Sequence, residues 1–176
     1  MLETLISSKT RIKLLLRFFL NSKSTAYLRG LENEFGESTN AIRLELNRFE
    51  DAGMLSSFSR GNKKYFKANT EHPLYNDVHN LLLKYIGFDK IIDNVIENLG
   101  DISKVYVTGA FASGLDHHTI DLVFIGNINK TYLAELIEKV ERHIHRRIRY
   151  IVYSSKEIVS ELKTELEENS LLLWQN

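Results

Sequence analysis

The residues best suited to chemistry lie in one segment, residues 105–126, with the sequence VYVTGAFASGLDHHTIDLVFIG. The pattern predicts a strand, a glycine turn, a short helix and a second strand that carries Asp121. A glycine turn at a helix N-terminus can direct backbone N–H groups at phosphate oxygens, and a carboxylate on a strand can bind a divalent cation. The segment therefore indicates phosphate or metal chemistry, but stable binding of two hard cations needs several anionic oxygens.

Gly109, Ala110, Phe111, Ala112, Ser113 and Gly114, followed by Asp121 and Leu122, resemble the Gly-Ser turn and Asp-x-Asp strand of the DNA polymerase beta-type nucleotidyltransferases, especially the minimal ones. The resemblance covers roughly residues 87–161 and implies an α/β domain with a small mixed sheet. In that family the turn contacts nucleotide phosphates, and three carboxylates on two strands bind the metals.

Aligned with that family, the chain lacks most of the catalytic charge. Gly109 keeps the first turn position, Ala110 replaces the usual Ser, Thr119 replaces the first Asp, and Asp121 keeps the second. The third carboxylate would come from a strand at residues 148–153, where Arg149 or a neighbour stands instead. Because each lost carboxylate removes charge that offsets the dehydration of a metal ion, we expect a degenerate pocket with no metal site. Asp121 would be catalytic only if the domain is an active enzyme.

The same pocket could bind an anion without metal, because guanidinium groups suit phosphate oxygens. The residues predicted to bind a nucleotide or another anion are Gly109, Ala110, Ser113 and Arg149. Two alternatives stay open. The arginines could instead pair with Glu135, Glu138 or Glu141, and Asp116 could supply a second carboxylate if its loop folds back. The pairs His117 and His118, and His143 and His145, lack the i, i+4 spacing of a helical metal site.

The first seventy residues predict helices followed by a basic hairpin. A third helix has Ile42, Leu46 and Phe49 at helical spacing and ends at Gly53. A hairpin follows, with the polar tip SRGNKK at residues 59–64 and with Tyr65 and Phe66 in the returning strand. The stretch STNAIRLELNRFEDAGMLSSFSRGNKKYFKAN resembles the recognition helix and wing of bacterial and archaeal winged-helix transcription regulators, and the resemblance covers Lys9 to about Asn69.

In that family the third helix enters the major groove and the wing touches the DNA backbone. On the third helix, the residues that lie off the apolar stripe and suit base edges or phosphates are Thr39, Asn40, Arg43 and Asn47. At the wing tip, Arg60, Lys63 and Lys64 are predicted to hold phosphates. These cations could also be an ordinary solvated face, and winged helices also serve as protein-interaction modules. Glu45 on or beside this face would oppose binding unless it pairs with a neighbouring arginine.

The remaining pattern indicates an α+β chain with a linker near its only proline, Pro73. Predicted helices span residues 10–21, 74–85, 88–99, 130–144 and 156–167, and another begins with a cap at Ser24 or Thr25. Predicted strands span residues 105–108, 120–125 and 148–153. The expected organisation is a winged helix at 1–70, connecting helices and a candidate dimer surface at 71–99, and a nucleotidyltransferase-like domain at 100–176. The apolar tail at Leu171 to Trp174 either docks on that domain or supports self-association.

Charge is divided along the chain although the net charge is zero. Residues 1–70 hold 12 Lys and Arg against 7 Asp and Glu, whereas residues 71–176 hold 11 against 16. The first part could meet phosphates and the second would be repelled by a polyanion. Without cysteine, a signal peptide or a membrane-spanning segment, the chain is expected in the cytoplasm.

Together these features predict a transcription regulator that binds double-stranded DNA as a homodimer, with no membrane contact. Its degenerate C-terminal domain would sense a nucleotide or another anionic ligand, or mediate assembly. No cofactor is expected. The alternative is an active minimal nucleotidyltransferase that uses magnesium to modify a small molecule, RNA or a partner protein. A third reading gives both halves protein-binding roles only.

Overall fold

The computed structural model describes residues 2–99 and 101–176 of the chain. In the first part of the chain the elements are α1 (Leu2–Leu5), α2 (Lys9–Leu15, continued by a π-helical turn at Leu16–Leu20), β1 (Thr25–Tyr27), α3 (Leu28–Phe35), α4 (Thr39–Asp51), β2 (Leu55–Arg60), β3 (Lys63–Ala68) and α5 (Tyr75–Ile86). The following elements are α6 (Phe88–Ile91, continued by a π-helical turn at Ile92–Ile96), α7 (Glu97–Leu99), β4 (Ile102–Thr108), α8 (Gly109–Ala112), β5 (Thr119–Gly126), α9 (Lys130–Ile144), β6 (Arg147–Tyr153), α10 (Ser160–Asn169) and β7 (Leu171–Gln175).

These elements form two compact units, Met1–Tyr85 and Ile86–Asn176, and both units mix helices with a small sheet. The α+β class predicted from the sequence is therefore confirmed. The predicted domain boundaries at residues 70 and 99 stay predictions. Among the described helices, none combines the length and the apolar character needed to cross a bilayer.

Unit 1 packs a helix-turn-helix, α3 and α4, against a three-stranded antiparallel sheet in the order β1, β3, β2. Its core combines the buried apolar side chains of the α2 segment with Leu31 of α3 and Ile42 and Leu46 of α4. The Phe19 ring lies 6.3 Å from Phe49, between ring centroids, so the α2 segment and α4 share aromatic contacts.

The start of α3 differs from the expectation. A helix capped by Ser24 or Thr25 was predicted, but Thr25, Ala26 and Tyr27 form β1 and the helix begins at Leu28. The three residues are extended because they pair with β3, where Tyr27 lies opposite Tyr65. This pairing joins residues about forty positions apart, so local capping patterns do not reveal it.

Unit 2 contains a mixed four-stranded sheet in the order β6, β5, β4, β7, in which β5 and β6 are parallel and the other pairs are antiparallel. Helix α10 covers part of one face, where Tyr106, Val123, Ile125 and Leu166 form a buried cluster. Elsewhere in unit 2, the Phe88 ring meets the Phe111 ring edge-on, with 5.8 Å between their centroids. The predicted helix at 156–167 begins later, at Ser160, because residues 154–157 form a turn closed by Glu157.

The apolar tail docks on unit 2 as a strand. Val105 of β4 lies opposite Trp174 of β7, and Val107 lies opposite Leu171. Docking was one of the two alternatives for this tail, and the strand pairing gives its physical basis, because β7 satisfies backbone groups along β4.

The predicted dimer surface on the connecting helices rested on Leu81, Leu82, Ile86 and Phe88. Three of these four side chains, Leu82, Ile86 and Phe88, are buried inside the single chain. These three side chains therefore do not supply an interface, since they already lie in a core, and the dimer surface at 71–99 stays a prediction.

Candidate functional site

The predicted recognition helix α4 forms because its apolar residues repeat at helical spacing and Ser38 caps its N-terminus. The Ser38 hydroxyl accepts a hydrogen bond from the backbone N–H of Ala41 at 3.2 Å. Burial of Ile42, Leu46 and Phe49 then turns Asn40, Arg43 and Asn47 to solvent, with Thr39 half-buried. The four residues predicted for DNA contact thus lie on one side of the helix.

Glu45, which would oppose an anionic ligand on α4, is buried. Its carboxylate accepts hydrogen bonds from Arg11 at 2.9 and 3.3 Å and from Arg48 at 3.2 Å. Burial raises the pKa of Glu45, but hydrogen bonds from Arg11 and Ser8, with the positive charges of Arg11 and Arg48, outweigh burial and hold the pKa below its ordinary value. The negative charge is therefore neutralised inside the protein.

The hairpin of β2 and β3 presents the three predicted wing cations differently. Arg60 and Lys63 pair across the two strands next to the turn, and both are exposed. The Lys63 ammonium lies 4.3 Å from the centroid of the Tyr27 ring. Lys64 lies on the opposite face of β3 and forms an ion pair with Glu50 of α4 at 2.7 Å. Lys64 is consequently the least available of the three.

An open groove of about 520 Å³ runs between the helices and the hairpin. It brings together Arg43, Asn47, Lys63 and Lys64 from the sequence prediction. The other residues along it are Tyr27, Leu28, Arg29, Leu46, Asn62 and Phe66. Of the remaining predicted residues, Thr39, Asn40 and Arg60 lie outside its lining, although Asn40 accepts a hydrogen bond from Arg43 at 3.3 Å.

Arg29 and Tyr27 are groove residues that the sequence reasoning missed. They reach the groove because β1 adds to the edge of the hairpin and leads directly into α3. The positive charge of the first seventy residues was the available signal for Arg29, but it did not single out this position. Within the described residues, no carboxylate forms an ion pair with Arg29, Arg43, Arg60 or Lys63.

In unit 2, the glycine turn and the acidic strand meet as predicted from their order along the chain. Gly109 has a φ of 65°, and a Cβ atom at this position would lie 2.8 Å from Oδ2 of Asp121. The turn therefore needs glycine to approach the carboxylate. Ala110 follows in the short helix α8, and the exposed Ser113 lies just after that helix.

Asp121 and Arg149 lie opposite each other on the parallel strands β5 and β6. Both carboxylate oxygens of Asp121 accept hydrogen bonds from Arg149, at 2.6 and 3.0 Å. These hydrogen bonds and the charge of Asp121 raise the pKa of the Arg149 guanidinium. In the alignment that the sequence resemblance predicts, Arg149 or a neighbour stands at the position of the third carboxylate.

Other arginines of unit 2 also form ion pairs with carboxylates. Pairing of these arginines with glutamates was the alternative to anion binding in the sequence analysis. Arg146 forms an ion pair with Asp116 at 2.7 Å, and Arg147 forms one with Glu141 at 3.2 Å. Thr119, which the sequence resemblance aligns with the first Asp of the nucleotidyltransferase pattern, donates its backbone N–H to Nδ1 of His117.

A pair of divalent cations does not fit these residues. The Asp121 carboxylate is neutralised by a guanidinium, and the neighbouring positions 119 and 149 supply a hydroxyl and a cation instead of anionic oxygens. In the described ranges 2–99 and 101–176, no three His, Cys, Asp or Glu side chains come together as metal ligands.

Comparison with known proteins gives structural likeness without a sequence family. No family model matches the chain, and no curated protein matches it. A chain of the tri-AMPylated HEPN toxin and MNT antitoxin complex of Shewanella oneidensis is 15% identical over 51% of this chain and 71% of that chain, with a TM-score of 0.38. Reduced HlyU from Vibrio cholerae is 13% identical over 47% of this chain and 82% of that chain, with a TM-score of 0.38. A proposed nucleotidyltransferase from Sulfolobus solfataricus is 24% identical over 53% of this chain and 83% of that chain, with a TM-score of 0.35.

Proposed function

We propose that the protein is a DNA-binding transcription regulator in which residues 9–69 form a winged helix-turn-helix. The observation that carries the proposal is the groove between α3, α4 and the hairpin, where Arg29, Arg43 and Lys63 meet without an ion-paired carboxylate among the described residues. Phosphate neutralisation by such cations releases counterions from duplex DNA and favours binding.

Base recognition in this proposal comes from α4. Arg43 and Asn47 lie one helical turn apart on its exposed side, and both have forked polar groups that match base edges in the major groove. Burial of Glu45 beneath Arg11 and Arg48 removes the one carboxylate expected to repel phosphate from this helix. Arg60 and Lys63 would position the wing on the backbone without reading sequence.

The proposal assigns unit 2 a role in ligand sensing or assembly and no transfer chemistry. The Asp121 and Arg149 pair supports this, because it places a cation where transfer of a nucleotide would need a metal ligand. The homodimer and the cytoplasmic location expected from the sequence belong to the same proposal.

Duplex binding by the full chain and by Arg43→Ala tests the function. Anisotropy of a labelled duplex, measured over a salt series, should show salt-sensitive binding that Arg43→Ala weakens about 5- to 150-fold, the effect of losing one good base contact. Arg142→Ala is the matched control, because Arg142 is an exposed helical arginine of unit 2. Equal affinity of Arg43→Ala and the unaltered chain would contradict the assignment of α4, and no duplex binding at low salt would overturn the function.

A further inference from the structure

A partly exposed row of aromatic rings crosses the three-stranded sheet of unit 1. Tyr27 of β1, Tyr65 of β3 and Phe58 of β2 lie directly opposite one another in the strand registers. The Tyr27 and Tyr65 centroids are 5.2 Å apart, and the Tyr65 and Phe58 rings stack at 5.7 Å with an interplanar angle of 19°. We call these three residues the aromatic row.

The aromatic row lies on the face of the sheet that points away from the core. Residues of the opposite face, Ala26, Leu55, Phe66 and Ala68, are buried. Phe58 keeps 39% of its surface exposed, and Tyr27 and Tyr65 are half-buried. Cross-strand aromatic pairs stabilise sheets, but stability alone does not require a large apolar ring to face water.

Cations flank the aromatic row on both sides. Arg60 and Lys63 pair across the strands two residues towards the hairpin tip, and Lys67 lies two residues the other way. All three are exposed, and within the described residues none forms an ion pair. The strands β1 to β3, all described, carry no acidic residue.

We propose that the aromatic row binds single-stranded nucleic acid by stacking unpaired bases on Phe58 and Tyr65. The flanking cations favour a polyanionic ligand, and the exposed rings favour one whose unpaired bases can stack on them. A duplex offers base edges only, so this surface is not explained by duplex binding. Three adjacent strands span about 10 Å, enough for about two or three stacked bases. No residue of α4 takes part, whereas Arg60 and Lys63 are shared with the wing of the proposed function, so variants of Phe58 and of Arg43 distinguish the two surfaces.

Titration of the full chain with labelled oligo(dT) and oligo(U), followed by anisotropy, tests the proposal. Phe58→Ala should weaken binding about 5- to 150-fold, the loss that corresponds to one stacked base. Phe58→Leu keeps an apolar side chain but removes the aromatic face, so it should weaken binding nearly as much. Phe58→Trp should bind as well as the unaltered chain or better.

Two controls separate this surface from others. Tyr132→Ala removes an exposed aromatic ring from α9 of unit 2 and should leave oligonucleotide binding unchanged. Arg43→Ala should weaken the duplex and not the single strand. Far-UV circular dichroism checks that each variant folds. No oligonucleotide binding at low salt, or full binding by Phe58→Leu, would overturn the proposal, and the comparison of the two oligonucleotides tells DNA preference from RNA preference.

Discussion

At the scale of single residues, charge placement separates the two units. In unit 1, a buried carboxylate, Glu45, is neutralised by Arg11 and Arg48, and the cations of the groove face solvent. In unit 2, Asp116, Asp121 and Glu141 form ion pairs with Arg146, Arg149 and Arg147, which leaves these arginines less available to an anion. A residue's chemical type therefore does not decide its role until its partners are known.

Glu45 allows a test of this view through pH. Its pKa is lower in the folded chain than in the unfolded chain, so ionised Glu45 stabilises the fold fully above about pH 5. That stabilisation is lost as the pH falls through the folded-state pKa. Glu45→Gln should reduce the free energy of unfolding near pH 7 by about 1 to 2 kcal/mol, because it removes the charge that Arg11 and Arg48 pair with, while both arginines keep access to water. It should also make stability less sensitive to acid.

Urea unfolding followed by far-UV circular dichroism, at neutral and at acid pH, measures both effects. The control is Glu138→Gln, which removes one partner of an exposed pair with Arg142 and should cost less than about 0.5 kcal/mol. If Glu45→Gln and Glu138→Gln behave alike, the buried pair does not stabilise unit 1.

At the scale of elements, local patterns were sufficient where neighbours in sequence determine the structure. The spacing of Ile42, Leu46 and Phe49 predicts α4, and the polar tip flanked by apolar residues predicts the hairpin of β2 and β3. Strand β1 was missed because it exists only through pairing with β3. The partners of Asp121 and Glu45 could be guessed but not assigned from the sequence, since Arg149 and Arg11 reach them through tertiary packing.

Close packing between α6 and the end of α9 gives a prediction at this scale. Gly87 has a φ of 97° and precedes α6, and an added Cβ atom would lie 2.5 Å from Cγ2 of Ile144. Gly87→Ala should therefore cost about 2 to 4 kcal/mol, through backbone strain of about 1 kcal/mol and overpacking of about 1 to 3 kcal/mol. Denaturant unfolding followed by fluorescence of the single tryptophan, Trp174, reports on unit 2.

A double-mutant cycle identifies the cause. Ile144→Ala alone should destabilise unit 2, whereas in the Gly87→Ala background it should cost less, because it removes the atoms that clash. Gly36→Ala in unit 1, with a φ of 64° and no heavy atom near the added Cβ, should show the strain alone when unfolding is followed by far-UV circular dichroism. Additive effects of Gly87→Ala and Ile144→Ala would mean that steric overlap is not the cause.

At the scale of the whole molecule, the two units differ in net charge. Unit 1 holds 13 Lys and Arg against 9 Asp and Glu, and unit 2 holds 10 against 14. This division suits a chain that meets nucleic acid through unit 1 only. The net negative charge of unit 2 also matters for the enzyme alternative. A transferase would have to bind an anionic nucleotide at an acidic unit, and bound metal ions would have to offset that repulsion.

Magnesium dependence separates the regulator from the enzyme. Since Arg149 neutralises Asp121 and stands where a metal ligand would be needed, we expect any calorimetric signal of ATP, GTP or CTP binding to be the same with and without millimolar magnesium. Arg149→Ala should weaken a metal-independent signal, because it removes the cation beside the glycine turn.

Asp121→Asn is the informative companion variant. It releases Arg149 from its ion pair, so an anion site should bind more tightly, whereas a metal site would lose its carboxylate and bind more weakly. Magnesium-dependent nucleotide binding that Asp121→Asn abolishes would show a metal site in unit 2, contradict the metal-free assignment and favour the alternative of an active nucleotidyltransferase.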